Sequence, residues 1–91
     1  MLEIVISKKC KKDLKLAKKR GLDLEDFFDF VEMLRRQEPL PLRYRDHALS
    51  ANRKGLRDCH IRPDWVLIYE VRETELLLVL VETGTHSDLE L

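Results

Sequence analysis

The stretch GLRDCHIRPDWVLIYEVRETELLLVLVE, residues 55–82, decides the fold. It contains three runs rich in β-branched and aromatic residues, at about 55–61, 65–71 and 75–82. Pro63 marks the first break and VRETE the second. Connections this short make the three runs antiparallel neighbours, a meander. Side chains alternate along a strand. Leu56, Asp58 and His60 therefore share one face of the first run, and Arg57, Cys59 and Ile61 the other. The run LLLVLV is apolar on both faces, as in a central strand or one with a covered outer face. The same alternation places Glu82 on the face of Leu76, Leu78 and Leu80, near His86.

Upstream, LEIVIS reads as a first strand, and Ser7 offers an N-cap. Cys10, Leu14 and Ala17 then follow at helical spacing, and Gly21 closes this first helix. Asp23 caps a second helix, with Asp26 in its first turn. Leu24, Phe27, Phe28, Val31 and Leu34 form its apolar stripe, which Phe30 leaves. Arg35 and Arg36 end it before Pro39. The two helices make a hairpin. EPLPLRYRDHALSANRKG, residues 38–55, is a connection without a clear period, and a loop that long in a small protein is often functional. TGTHSDLEL, residues 83–91, is too polar for a strand. The expected architecture is α+β, with one domain over residues 1–91: an N-terminal strand, a helical hairpin, and a three-stranded antiparallel meander packed on the helices.

The formal net charge is zero, yet the charges are segregated. Residues 7–20 hold eight basic side chains and one acid, Asp13. Residues 35–62 hold eight basic side chains and three acids, whereas 73–91 hold five acids and no Lys or Arg. Segregation permits a basic patch suited to a polyanion on a neutral protein. The lysine run by itself reads as a solvated helix face. No apolar run is long enough to cross a bilayer, and the N-terminus lacks the order of a signal peptide. Cys10 and Cys59 are too few for a disulfide framework and are expected to be reduced, in a cytoplasmic protein.

The polar groups gather around the meander. His47 follows Asp46 in the long connection, Asp58 and His60 sit two apart on one strand face, Asp64 lies just past that strand, and His86 is in the tail. Metal ligation is one reading, but no pair has the tight spacing of ligand motifs. Surface histidines that only satisfy turns are a second. The third is acid–base chemistry, since imidazole titrates near neutrality and a carboxylate can orient it. Arg53, Lys54 and Arg57 are candidates to hold a phosphate. Together these groups suit transesterification of RNA: a base takes the 2′-OH proton, the oxygen attacks phosphorus, and an acid protonates the leaving 5′-oxygen.

LPLRYRDHAL, then KGLRDCHIRPDWVLIYEV, then TGTHSDL resembles the YafQ branch of the RelE/ParE toxin superfamily, from about Leu40 to Leu89. The lysine-rich helix and the helical hairpin before it fit as well. The resemblance implies the toxin of a type II toxin–antitoxin pair, a ribosome-dependent mRNA endoribonuclease that needs no metal or other cofactor. The implied partners are a cognate antitoxin, the ribosome and mRNA, with DNA reached only through the antitoxin complex. The implied fold puts the helical hairpin on one sheet face and the active site on the other. The family's acid–base residues fall on His47, His60, Asp64 and His86, and Asp58 stands where members carry Asp or Glu.

Two positions depart from the family pattern. Members typically carry an arginine two residues before the Gly of the GTH motif, where this chain has Glu82. Many carry an aromatic residue four after the motif histidine, where this chain has Glu90. These departures raise a second expectation, a weakened enzyme that keeps antitoxin or ribosome binding. A gyrase-targeting toxin on the same fold is a third, disfavoured by the three histidines. An acidic antitoxin segment is expected to cover part of LLLVLV and the basic first helix.

Overall fold

A computed structural model describes residues 1–91. The elements are β1 (Glu3–Ile6), α1 (Lys8–Lys19), α2 (Leu24–Arg35), β2 (His47–Ala48), β3 (Arg57–Arg62), β4 (Trp65–Arg72) and β5 (Leu77–Gly84). They form one five-stranded sheet of order β1-β5-β4-β3-β2 with both helices on one face. The α+β expectation and the antiparallel meander hold, and β1 joins β5 in parallel. β2, two residues inside the long connection, was not foreseen; it pairs His47 with Asp58. β5 also extends to Gly84, so Thr83 and Gly84 belong to the strand rather than to the tail.

The caps are those the sequence indicates. Ser7 Oγ accepts the Cys10 N–H, and Asp23 Oδ1 accepts the Glu25 N–H. Each satisfies an amide that the first helical turn leaves without a partner. Cys10, Leu14 and Ala17 of α1 and Phe27, Val31 and Leu34 of α2 pack on Cys59, Leu67, Tyr69, Leu78 and Leu80 of the sheet. Phe27 stacks on Trp65 with ring centroids 5.9 Å apart. Burial pushes the Cys10 thiol up to about 12 and raises Cys59 further, so both stay protonated and unreactive.

The stripe of α2 differs from expectation. Phe28 is 43% exposed and Phe30 only 3%. A helix stripe serves one contact surface, but α2 has two. Phe30 turns toward the long connection and packs on Tyr44, with ring centroids 4.8 Å apart. LLLVLV is indeed central, between β1 and β4. Leu78 and Leu80 are fully covered by the chain's own helices, so this strand offers an antitoxin neither an edge nor that face.

A second correction concerns Glu82. Ile68 pairs with Glu82, but Tyr69 pairs with Leu80, leaving Val81 as an extra residue in β5. This β-bulge re-phases the alternation. Leu80 faces the helices; Glu82, opposite Ile68, faces the other way, on the side of Asp58 and His60. Residues of α1 satisfy the backbone around the bulge. The Ser7 hydroxyl donates to the Val81 carbonyl at 2.5 Å, and the Thr83 N–H donates to Asp13 Oδ2 at 3.1 Å. Asp13, the one acid in the basic run, thus has a structural task.

The face away from the helices carries a smaller apolar cluster. Val66, Ile68 and Leu89 form it, flanked by Leu49, Leu56 and Val81. Leu89 is 1% exposed, so the polar tail is pinned to the sheet by one leucine. Truncating a buried leucine removes its transfer energy and leaves a cavity. Leu89→Ala is therefore expected to cost about 2–4 kcal/mol in urea unfolding, with a lowered midpoint and an unchanged slope as the check.

Candidate active site

The face opposite the helices gathers most of the residues singled out in the sequence. Asp58 and His60 are buried on it, at 3% and 8% exposure. His60 Nε2 lies 3.5 Å from Asp58 Oδ1, an electrostatic contact rather than a hydrogen bond. That Asp58 oxygen has no hydrogen-bond partner. Burying a carboxylate oxygen this way costs stability and calls for a reason beyond packing.

His86 meets His60 edge to face, with ring centroids 4.8 Å apart. Its position follows from how the tail is fastened. Asp64 Oδ1 accepts both the His86 backbone N–H at 3.1 Å and the ring Nδ1 at 2.8 Å. The His86 hydrogen bonds hold the Asp64 carboxyl below its usual range. With Nδ1–H donated to a carboxylate, His86 presents Nε2. Asp88 closes the turn by accepting from Thr85 N–H at 3.0 Å, and Arg20, the C-cap of α1, grips it at 2.6 Å. Gly84 is required here, because a Cβ would lie 2.9 Å from the Asp88 side chain.

His47 is exposed and stands opposite Asp58 across the β2–β3 pair. Its Nδ1 donates to the Arg45 carbonyl at 2.7 Å, leaving Nε2 outward. Three imidazoles and two carboxylates thus come from β2, β3, the β3–β4 turn and the tail. No group of three or more His, Cys, Asp or Glu side chains converges in a metal-holding arrangement.

The expected phosphate-binding cations divide. Arg57 faces the helix side, where Asp46 binds it at 2.8 Å and Tyr69 donates its hydroxyl to the same carboxylate. The Asp46 hydrogen bond raises the Arg57 pKa, while burial and Asp46 raise that of Tyr69. Arg53 does reach the site face, but its Nη2 donates to the Leu89 carbonyl at 2.8 Å and its Nη1 lies 3.6 Å from Glu82. Lys9 lies 3.9 Å from the same carboxylate. Glu82 is therefore flanked by two cations. Lys54 is exposed and makes no side-chain ion pair.

Sequence reasoning missed the segment just before His47. Arg43, Tyr44 and Arg45 line a cleft of about 580 Å³ together with His60 and residues of α2. Tyr44, an aromatic residue in an otherwise polar connection, was the available signal. Nothing local marked Arg45, whose backbone adopts a left-handed turn at φ 48°.

A small sheet with two helices on one face is the fold of YafQ and related bacterial toxins. The family model for the bacterial toxin of type II toxin–antitoxin systems, YafQ, matches residues 2–91, and the chain belongs to that family. It is 42% identical over 88 residues to the mRNA interferase toxin YafQ of Escherichia coli strain K12, covering 96% of this chain and 94% of that protein. Its fold matches that protein in the crystal structure of the E. coli DinJ–YafQ complex, with a TM-score of 0.87, 40% identity and 98% of each chain covered. It also matches a metal-bound toxin from Helicobacter pylori, with a TM-score of 0.92, 43% identity, and 98% and 99% covered.

Burial lowers the His60 pKa from its ordinary 6.5, Asp58 opposes that shift, and His86, Arg45 and His47 reinforce it. A histidine with a depressed folded pKa contributes stability above its unfolded pKa and loses it as pH falls through the folded value. Stability attributable to His60 is thus complete above about pH 6.5 and declines below it. NMR titration of the His60 ring should give a midpoint below 6.5. Asp58→Asn should lower that midpoint further, and Arg45→Ala should raise it.

Proposed function

We propose that this chain is an mRNA endoribonuclease that cleaves by acid–base transesterification on the ribosome and is silenced by a cognate antitoxin. The observation that supports it most is the apposition of His60 and His86 at 4.8 Å, each accompanied by its own carboxylate. Two adjacent imidazoles can act on the two oxygens of one phosphodiester. His60, kept neutral by burial, takes the proton of the ribose 2′-hydroxyl. The 2′-oxygen attacks phosphorus, and the bond from phosphorus to the 5′-oxygen breaks. His86 delivers a proton to that leaving oxygen, with Asp64 fixing its ring and supplying a counter-charge. His47 presents a third imidazole at the rim, opposite Asp58, to align the attacking hydroxyl.

The products are a 2′,3′-cyclic phosphate and a free 5′-hydroxyl. One H. pylori relative is a metal-bound toxin, whereas His86 Nδ1 here is engaged by Asp64, and the two proton transfers are accounted for by the imidazoles alone. Cleavage of a translated message should therefore survive EDTA at magnesium levels that keep ribosomes intact. His60→Ala and His86→Ala should each slow cleavage by about 10²–10⁴-fold. Toeprinting and end-group analysis of the fragments provide the check, and dependence on one particular added metal would overturn the mechanism.

A specific observation also favours an attenuated enzyme. Where family members typically place an arginine, Glu82 stands on the site face and draws on Arg53, while Arg57 is committed to Asp46. Preorganised positive charge near the phosphate stabilises the transition state, and losing one such donor costs on the order of 100-fold. Glu82→Arg is expected to raise cleavage and growth inhibition, and His60→Ala in that background to abolish both. Equal cleavage with and without Glu82→Arg would show that the Glu82 carboxylate does not limit the rate.

Antitoxin capture is attributed to the basic face of α1 rather than to LLLVLV, which the helices cover. Its exposed lysines suit an acidic segment that folds on binding.

A further inference from the structure

We infer that the cleft between α2 and the Arg43–Arg45 segment is a nucleotide subsite for RNA, with Arg45 holding the phosphate beside His60 and Arg43 stacking on the adjoining base. The inference rests on the nuclease reading and names the group that supplies the charge missing at Glu82.

The two walls of the cleft differ in charge. Asp26 and Asp29 lie on the α2 wall, and Arg43 and Arg45 on the other. Arg62 also lines the cleft and is paired with Asp26, which leaves Asp29 as the uncompensated acid of the α2 wall. An anionic phosphate is repelled by Asp29 and drawn to Arg43 and Arg45, in the cleft that His60 also lines. Arg45 is exposed and has no carboxylate within ion-pair distance, unlike Arg53 and Arg57. It is also close enough to His60 to disfavour the protonated ring, which puts it in electrostatic reach of the reacting atoms. Its left-handed backbone directs its carbonyl to His47, so one residue aligns an imidazole through its main chain and offers a cation through its side chain.

The rest of the cleft suits an uncharged base. Phe30 packs against Tyr44, and the Arg43 guanidinium lies over the Tyr44 ring at 4.9 Å. Arg43 also donates to the Tyr44 hydroxyl at 3.1 Å, which fixes the guanidinium. A planar guanidinium held in this way is a stacking platform for an unpaired base. No carboxylate competes for Arg43 within ion-pair distance.

The test is an NMR titration of the isotope-labelled full chain with a 2′-O-methyl RNA trinucleotide, which has no attacking hydroxyl, alongside ribosome-dependent cleavage by the same proteins. Shifts should centre on Tyr44, Arg45 and His60. Arg43→Ala should weaken trinucleotide binding roughly tenfold. Arg45→Ala should slow cleavage by on the order of 100-fold, with Arg45→Lys restoring part of it. Both substituted sites, Arg43 and Arg45, are exposed, and an unchanged thermal midpoint confirms folding. Shifts that map to another face, or cleavage unaffected by Arg45→Ala in an otherwise active protein, would overturn the subsite while leaving the nuclease reading intact. Trinucleotide binding in the cleft by a protein that cuts no message would do the reverse. If Arg43→Ala and Arg45→Ala weaken antitoxin binding and leave RNA binding unchanged, the cleft belongs to the antitoxin and the inference fails.

Discussion

The site depends on the single extra residue in β5. Without Val81 as a bulge, alternation would turn Glu82 into the helix-packed core and Thr83 toward the face of Asp58 and His60. The bulge breaks the hydrogen-bonding ladder, and buried backbone groups left unpaired are costly. Helix α1 meets that cost at two points, through the Ser7 hydroxyl and the Asp13 carboxylate. Ser7 also caps the helix that carries Asp13. The cap, the helix and the re-phasing of the central strand therefore stand or fall together, and the tail leaves the sheet in the direction that takes His86 to His60.

The tail shows how weakly apolar sequence can still be ordered. Leu89 closes the small cluster over Val66 and Ile68, Arg53 binds its carbonyl, and Arg20 holds Asp88. Each fastening comes from a different part of the chain, and His86 lies between them and the end of β5. A histidine fastened this way is positioned without belonging to any regular element.

Charge at the site is arranged by pairing as much as by placement. Glu82 is less damaging than a bare carboxylate would be, because Arg53 and Lys9 flank it. That compensation has a consequence: Arg53 is held as a structural cation. A guanidinium already bound to a carbonyl and a carboxylate is poorly available to a phosphate, whereas an exposed arginine with no carboxylate at hand is available. Family membership and the acid–base cluster are thus compatible with a phosphate contact moved to a different strand connection.

Local pattern in the sequence determined the helices, their caps, the three-strand meander and the grouping of Asp58 with His60, since each depends on residues close in the chain and on a fixed period of 2 or 3.6. The motifs RDCHIRPDW and TGTHSDL likewise marked the residues of the candidate site before any geometry was known. The exposure of Phe28 and burial of Phe30 depended on a loop packing against α2, which periodicity does not encode. The face of Glu82 depended on a bulge whose unpaired groups are satisfied by Ser7 and Asp13, some 70 residues away. The commitments of Arg53 and Arg57, and the freedom of Arg45, follow from which carboxylates the fold brings within reach. Such pairings are set by distance in space, and only the tertiary structure decided them.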